Sequence, residues 1–281
     1  MIVNPKDLLL EVNKLYLDGV AKGHSTGWEN LDYLWTVNPK QLTIITGMPS
    51  HGKSEWLDAL CANLAIKQNY RICMFSPENH PLEMHCKKLI EKFAHKLFFG
   101  NHRMSHDDML EALEQVNSHF SFVKPKENEF TPMHIINEAM PWLTQSVVQP
   151  KAMVIDPWNE MEHNRPSNMT ETEYISLVLT QLRRAAREYN VHLFLVAHPT
   201  KLRKDQDGNY PVPTPYDIAG SAHFYNKADN AITVWRDVMN APEQTQIHVQ
   251  KVRFNSTGHP GVAHLTYDYK QATYVEPYKY G

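Results

Sequence analysis

The chain has 281 residues, of which 42% are hydrophobic and 21% are charged, so it can form one large domain with a sizeable core. Its net charge of −3 excludes a strongly basic nucleic-acid coat protein but not a local basic channel. Three cysteines without CxxC spacing argue against a disulfide framework or a zinc finger. No apolar run approaches the roughly 20 residues that cross a bilayer, and the N-terminus lacks a secretory pattern. We therefore expect a cytoplasmic protein with no membrane partner.

The first predicted element is an amphipathic helix over residues 5–22. Its apolar stripe consists of Leu8, Leu9, Val12, Leu15 and Tyr16. A glycine-containing segment, residues 23–27, then breaks the pattern. The helix is therefore either a separate arm or a helix that packs on its own domain, and periodicity alone favours the second alternative.

Between residues 41 and 197 the pattern alternates between strands and helices. The predicted strands are 41–46, 70–76, 120–123, 151–155 and 191–197. The predicted helices are 54–68, 107–119, 132–145 and 172–189. A further long helical stretch follows the second strand and continues to about residue 99. Beyond residue 231 the chain has strand patterns only, at 231–235, 246–254 and 263–275. Apolar strands that alternate with helices are typical of parallel sheets covered on both faces. The prediction is an α/β fold with a mostly parallel sheet flanked by helices and a β-rich C-terminal end.

Residues 47–54, Gly-Met-Pro-Ser-His-Gly-Lys-Ser, match the phosphate-binding pattern GxxxxGK[ST] in full and lie between an apolar strand and a helix. Gly47 and Gly52 let the backbone approach phosphate, and the loop amides and the helix N-terminus attract the anion. We expect Lys53 to reach the β- and γ-phosphates and the Ser54 hydroxyl to ligate Mg²⁺. The other loop residues expected at the nucleotide are Pro49, Ser50 and His51. This P-loop predicts a site for ATP or another nucleoside triphosphate.

Polar residues follow three other predicted strands. Asp156 comes after four apolar residues, where a carboxylate can hold Mg²⁺ through water. Glu78 follows the second strand and could polarise the attacking water, although its position fits a solvated loop acid equally well. His198 ends the strand at 191–197, where it could contact the γ-phosphate or be a satisfied histidine at the sheet edge.

These motifs, in this order, resemble the RecA-like replicative helicases, the family of bacterial DnaB, the primase-helicases of some phages and mitochondrial Twinkle. The resemblance runs from about residue 24 to residue 277. The segments that carry it are the P-loop, 75–79, 154–159, 197–199, 216–222 and 251–254. His198 resembles the phage and Twinkle branch, because DnaB usually has Gln there. The resemblance implies a RecA-like P-loop NTPase domain over residues 24–281. It also implies that residues 1–23 form a linker helix or arm that docks on the adjacent protomer.

The resemblance also assigns roles that the residues alone leave open. Glu78 would be the catalytic base, and Lys251 and Arg253 would face the ATP of the next subunit, where a cation stabilises transition-state charge. Without the resemblance, these two cations are an ordinary solvated strand face. Arg236 and Tyr269 resemble residues that sandwich the adenine.

Single-stranded DNA would pass through the centre of the ring, bound through its phosphates by loops at about 159–170 and 200–221. The second loop carries the candidate DNA contacts Lys201, Arg203, Lys204, Ala219, Gly220 and Ser221. Gly220 and Ser221 could equally belong to a helix cap.

The function that the resemblance implies is an ATP-dependent DNA helicase motor, a ring and most simply a hexamer, in a bacterial or phage-infected cell or an organelle. Primase, polymerase or a loader are candidate partners. The alternatives are a RecA, RadA or KaiC-like ATPase without unwinding, a P-loop small-molecule kinase and a non-catalytic loader that binds ATP as a switch. Nothing in the sequence resembles a primase zinc module, so the chain is either a minimal helicase or a fragment of a longer protein.

Overall fold

The structure, a computed structural model, describes residues 2–20, 22–124, 126, 130–204, 210–220 and 222–277. The helices are α1 Leu9–Asp18, α2 Glu29–Asp32, α3 Lys53–Gln68, α4 Leu82–Ala94, α5 His106–His119, α6 Pro132–Leu143, α7 Glu171–Glu188 and α8 His223–Lys227. The strands are β1 Leu42–Thr46, β2 Arg71–Phe75, β3 Phe120–Phe122, β4 Lys151–Ile155, β5 His192–Val196, β6 Asn230–Arg236, β7 Gln244–Val252, β8 Gly261–Asp268 and β9 Thr273–Val275. Short 3-10 turns lie at Pro5–Leu8, Trp158–Glu160, Pro215–Asp217 and Asn255–Thr257.

Within the described ranges the nine strands form one sheet in the order β3-β2-β4-β5-β1-β6-β7-β8-β9. Neighbours from β3 to β6 pair in parallel, and β7, β8 and β9 extend the sheet antiparallel. The predicted fold class is therefore confirmed. Because β1, β4 and β5 are buried at every residue, they need apolar side chains on both faces, which explains their largely apolar sequences.

The sheet separates two hydrophobic cores. Along β1, Ile45 packs on the side that carries α3, α4 and α5, whereas Leu42 and Ile44 pack on the side that carries α6 and α7. The parallel strands all end at one edge, so the segments that follow β1, β2, β4 and β5 meet there. That edge brings the residues of the predicted nucleotide site together.

Helix α4 and the last predicted strand differ from the sequence prediction. Helix α4 ends at Ala94 instead of continuing to about residue 99, because His95 adopts a left-handed backbone (φ 50°). The predicted strand 263–275 is two strands, β8 and β9, joined by a turn in which Ala272 has a φ of 49°. Neither residue is a glycine, so the sequence carries no local signal for these breaks.

The N-terminal helix has no buried residue among those that the structure describes. Its 3-10 turn and α1 span residues 5–18, shorter than the predicted 5–22, and Gly19 (φ 72°) ends the helix by donating its N–H to the carbonyl of Leu15. Leu10, Tyr16 and Leu17 are 78–86% exposed. None of the helices in the described ranges has the length and apolar character needed to span a membrane.

Candidate functional site

The P-loop leaves β1 at Thr46, whose hydroxyl donates to the carbonyl of Ala197 at the end of β5 (2.8 Å). Gly47 has a φ of 149°, and a Cβ there would lie 2.2 Å from the carbonyl oxygen of Val234. Gly52 has a φ of 88° and precedes the first residue of α3. Both positions therefore require glycine, one for the close approach of β6 and the other for the turn into the helix.

Lys53 and Asp156 form the charged centre of the site. The Lys53 ammonium donates to the carbonyl of Met48 (3.0 Å), and burial lowers its pKa against the opposing effects of Asp156 and Glu78. Burial raises the pKa of Asp156 to about 6, partly offset by a hydrogen bond from the Ser54 hydroxyl and by Lys53. One Asp156 oxygen, Oδ1, is buried and has no hydrogen-bond partner among the described residues.

The Ser54 hydroxyl and the Asp156 carboxylate are oxygen donors that fit a magnesium ion. Mg²⁺ prefers carboxylate, hydroxyl and water oxygens, and the Ser54 hydroxyl lies near enough to Asp156 to lower the pKa of that carboxyl. A divalent cation would also stabilise the ionised form of a buried carboxylate whose pKa is raised. The orphaned Oδ1 of Asp156 is therefore a physical reason to place the metal there.

Glu78, the predicted base, and His198, the predicted γ-phosphate contact, lie close together. The Nε2 atom of His198 is 3.4 Å from Oε1 of Glu78, and the His198 backbone N–H donates to Oδ1 of Asn159 (3.0 Å). Burial and Lys53 lower the pKa of His198, whereas Glu78 raises it. A cleft of about 590 Å³ opens between these side chains and the P-loop, and Asn159 and Glu160 also line it. The sequence analysis did not place Asn159 or Glu160 at the nucleotide, although both residues follow Asp156 at the end of β4.

Arg236 braces the P-loop. Its guanidinium donates to the carbonyls of Ser50 (2.7 Å) and Pro242 (3.2 Å), and its backbone N–H donates to Nδ1 of His51 (3.1 Å). Burial, Arg236 and Lys53 lower the pKa of His51 to about 4, so this imidazole is neutral near pH 7. The bulky His51 is thus fixed by the end of β6, a contact that the sequence did not reveal.

Tyr269, the other predicted adenine contact, is 59% exposed and belongs to an aromatic group beside the P-loop. Its ring lies 5.0 Å from that of Tyr267, which is 5.0 Å from that of Tyr274. A Cβ on Gly52 would lie 3.0 Å from the Tyr274 hydroxyl. The group therefore joins the β8–β9 turn to the P-loop.

Lys251 and Arg253 lie at the other end of the sheet's strands, near the start of β1 and away from the P-loop. The Arg253 N–H donates to the carbonyl of Asp229, whose own N–H donates to the carbonyl of Leu42 at the start of β1. Because Gly47 comes five residues later along β1, these cations are about 16 Å from the P-loop along the strand direction. The Lys251 ammonium donates to the carbonyl of Tyr225 (2.6 Å). They cannot contact a nucleotide held by their own P-loop.

The predicted DNA-binding loop is anchored at both ends. Pro199 pairs with Ile218, and the Thr200 N–H donates to the carbonyl of Asp217 (2.7 Å). Gly220, with a φ of 93°, lies so close to α7 that a Cβ would be 2.5 Å from the Ile175 side chain. Ala219 is partly exposed between these contacts. Lys201, Arg203 and Lys204 are exposed, whereas Ser221 lies outside the described residues.

Residues 23–276 match the family model of the DnaB-like helicase C-terminal domain. The chain belongs to the DnaB-like helicase family. This family consists of NTP-dependent DNA helicases, and the matched domain is its ATPase domain. The chain is also 38% identical, over 291 aligned positions, to "Twinkle homolog protein, chloroplastic/mitochondrial" from Arabidopsis thaliana. That alignment covers 96% of the chain but only 39% of the relative.

Solved structures show the same fold. One solved ATPase domain superposes with a TM-score of 0.81 at 18% identity, covering 99% of this chain and 100% of that one. A DnaB-like replicative helicase superposes with a TM-score of 0.80 at 19% identity, and the match covers 99% of this chain and 69% of that one. The RadB recombinase superposes with a TM-score of 0.59 at 14% identity, and the match covers 90% of this chain and 99% of that one. The fold is thus shared with a recombinase, whereas the family match is to helicases.

The geometry at Gly47 makes a first prediction. In Gly47→Ala the new Cβ would collide with the carbonyl of Val234, so the P-loop must shift and ATP binding should weaken by at least roughly tenfold. Equilibrium binding of a fluorescent ATP analogue measures the effect. Gly100→Ala is the matched control, because Gly100 also has a positive φ (97°) but open space around its Cβ position. Equal affinity in wild type and Gly47→Ala would contradict this account of the loop.

Proposed function

We propose that the chain is a DNA helicase motor that hydrolyses ATP between neighbouring protomers of a ring, most simply a hexamer, and moves on single-stranded DNA. The observation that carries the proposal is the division of the charged groups between two edges of the sheet. The P-loop, Asp156 and Glu78 lie at one edge, and Lys251 and Arg253 lie about 16 Å away at the other. Such a division suits a site completed by a second subunit, with the interface repeated head to tail around a ring.

Within one protomer, the P-loop amides and Lys53 would bind the phosphates, and Ser54 and Asp156 would hold Mg²⁺. The metal, when bound, neutralises charge that develops on the phosphate oxygens. Glu78 would accept a proton from the attacking water as the base. His198, which is 3.4 Å from Glu78, would contact the γ-phosphate and relay its loss to the loop that follows β5.

The cations from the neighbouring protomer would complete this site. Arg253 would stabilise the charge on the transferred phosphoryl group, as an arginine supplied across an interface does in many NTPases. Lys251 would assist as a second positive charge. Both side chains are held by carbonyls near the end of α8, which keeps them directed at one place on the surface.

Residues 1–23 would serve as the arm that joins protomers. The exposed apolar side chains of α1 are not covered by any other described part of the chain, and a second copy would bury them. The family match begins at residue 23, which agrees with a boundary between the arm and the ATPase domain at residues 24–281.

For the nucleotide base, we propose a place between Arg236 and Tyr269. Both lie beside the P-loop, Arg236 through its bond to the Ser50 carbonyl and Tyr269 through its aromatic neighbours. Tyr269 is exposed enough to stack on a base.

The partners and the compartment stay predictions. The DnaB-like replicative helicase of similar fold interacts with primase, which supports primase as a candidate partner beside a polymerase or a loader. The Arabidopsis relative is named as chloroplastic/mitochondrial, so an organelle stands beside the cytoplasm of a bacterial or phage-infected cell.

Mixing two inactive variants tests the shared site. Lys53→Ala and Arg253→Ala should each lose ATPase activity by roughly 10²-fold or more, because one lacks the phosphate contact and the other the cation supplied in trans. A 1:1 mixture should regain activity at about one quarter of its interfaces, those that pair an intact P-loop with an intact Arg253. A mixture of Lys53→Ala with Lys53→Ala/Arg253→Ala is the control and should stay inactive. Failure of the first mixture to regain activity would contradict a shared site.

A second experiment tests DNA binding by the loop after β5. In Lys201→Ala/Arg203→Ala, the slope of log affinity for oligo(dT) against log salt should fall by about 0.7 for each lost phosphate contact. Arg184→Ala/Arg187→Ala removes two exposed cations from α7 and should leave the slope unchanged. Equal effects of the two double variants would mean that the loop makes no specific contribution.

A further inference from the structure

Glu55 is an acid at a place where the proposed function puts an anion. It follows Ser54 in the first turn of α3 and lines the cleft beside the P-loop. Phosphate binds at this helix N-terminus because the backbone amides and the helix dipole attract negative charge. A carboxylate next to the phosphates opposes that attraction unless another group compensates it, so its presence needs an explanation.

Part of the explanation is Lys92, an almost fully buried lysine of α4. Its ammonium pairs with Oε1 of Glu55 and also donates to the carbonyl of Ala272 (3.1 Å). The Tyr267 hydroxyl donates to the same Oε1 atom (3.1 Å). Glu55 is therefore fixed, and its charge is largely balanced by a cation that water does not reach.

Lys92 and Tyr267 bond only one of the two carboxylate oxygens of Glu55. All hydrogen bonds to the Glu55 side chain within the described residues fall on Oε1, and the side chain keeps 25% of its surface exposed. A carboxylate oxygen can accept two hydrogen bonds, so Oε2 is an acceptor that is held in place. Neutralising Lys92 requires only Oε1 and does not explain why the carboxylate also borders the cleft.

The position of Glu55 matches the middle of a bound nucleotide. The phosphates belong to the P-loop on one side, and the base belongs, by the proposed function, beside Tyr269 on the other. Glu55 adjoins Ser54 and bonds Tyr267, whose ring is 5.0 Å from that of Tyr269. The sugar connects the phosphates to the base, so with the base beside Tyr269 the sugar would lie near this carboxylate.

We propose that Glu55 accepts a hydrogen bond from the ribose 2′-hydroxyl and makes the site selective for ribonucleotides over 2′-deoxyribonucleotides. This inference rests on the proposed nucleotide site. A site built to bond a hydroxyl rejects the analogue that lacks it, because its own polar atom is then left without a partner. Acidic side chains recognise the ribose 2′-hydroxyl in the same way in dinucleotide-binding folds.

The test compares kcat/KM for ATP and 2′-dATP in the full chain, together with equilibrium binding of ADP and 2′-dADP. Wild type should prefer the ribonucleotide by about tenfold, the effect expected for one hydrogen bond to a charged group. Glu55→Gln should reduce this preference to within about twofold, because it removes the charged acceptor. Glu160→Gln removes another carboxylate from the same cleft and should leave the ratio as in wild type.

Glu55→Gln also leaves Lys92 buried without its counter-ion and could unfold the chain. The double variant Glu55→Gln/Lys92→Met removes both charges and should fold while still losing the preference. If wild type prefers ATP and either folded variant keeps that preference, Glu55 serves only to neutralise Lys92 and the inference is overturned. Equal use of ATP and 2′-dATP by wild type also overturns it. Absence of any nucleotide binding by wild type would instead refute the proposed function itself.

Discussion

The buried carboxylate of Asp229 joins the two halves of the proposed active site. Its Oδ2 atom accepts the N–H of Leu42 (3.0 Å), which fixes the start of the strand that ends in the P-loop. Its Oδ1 atom lies 2.8 Å from Nε of Arg253 and 3.6 Å from Nε of Arg183. Because an isolated buried carboxylate is costly, Arg253 is strongly favoured to remain beside it. A phosphate contact made by Arg253 would therefore act directly on β1, the strand that carries the chain's own nucleotide site.

At the other end of β1, the site carries one positive and one negative group, which suit an anion and a cation bound side by side. Lys53 supplies a partly desolvated cation, and Asp156 supplies a buried acid whose pKa is raised to about 6. An anion on the P-loop stabilises the first charge, and a divalent cation stabilises the second. Each ligand alone leaves one of these groups uncompensated. This balance of charge favours joint binding of the two predicted ligands, a nucleotide and Mg²⁺.

The sequence predicted the parts of this site that are local. The P-loop is contiguous, its glycines are demanded by steric contacts, and Asp156 follows a strand whose apolar sequence marks it as buried. The edge at which Glu78 and His198 meet could be expected from the parallel sheet, although their 3.4 Å separation could not. Contacts between residues distant along the chain were not predictable. Examples are Glu55 with Lys92 and Arg253 with Asp229, because single residues of either charge most often lie in solvent.

The central claim is that ATP is hydrolysed between protomers that assemble on single-stranded DNA. Its most direct test is the ATPase rate per protomer, measured over a wide range of protein concentrations with and without oligo(dT). The account predicts that the specific activity rises with concentration to a plateau, because assembly completes the site, and that DNA increases it, because the protomers assemble on DNA. A specific activity that is independent of concentration and of DNA would contradict the account.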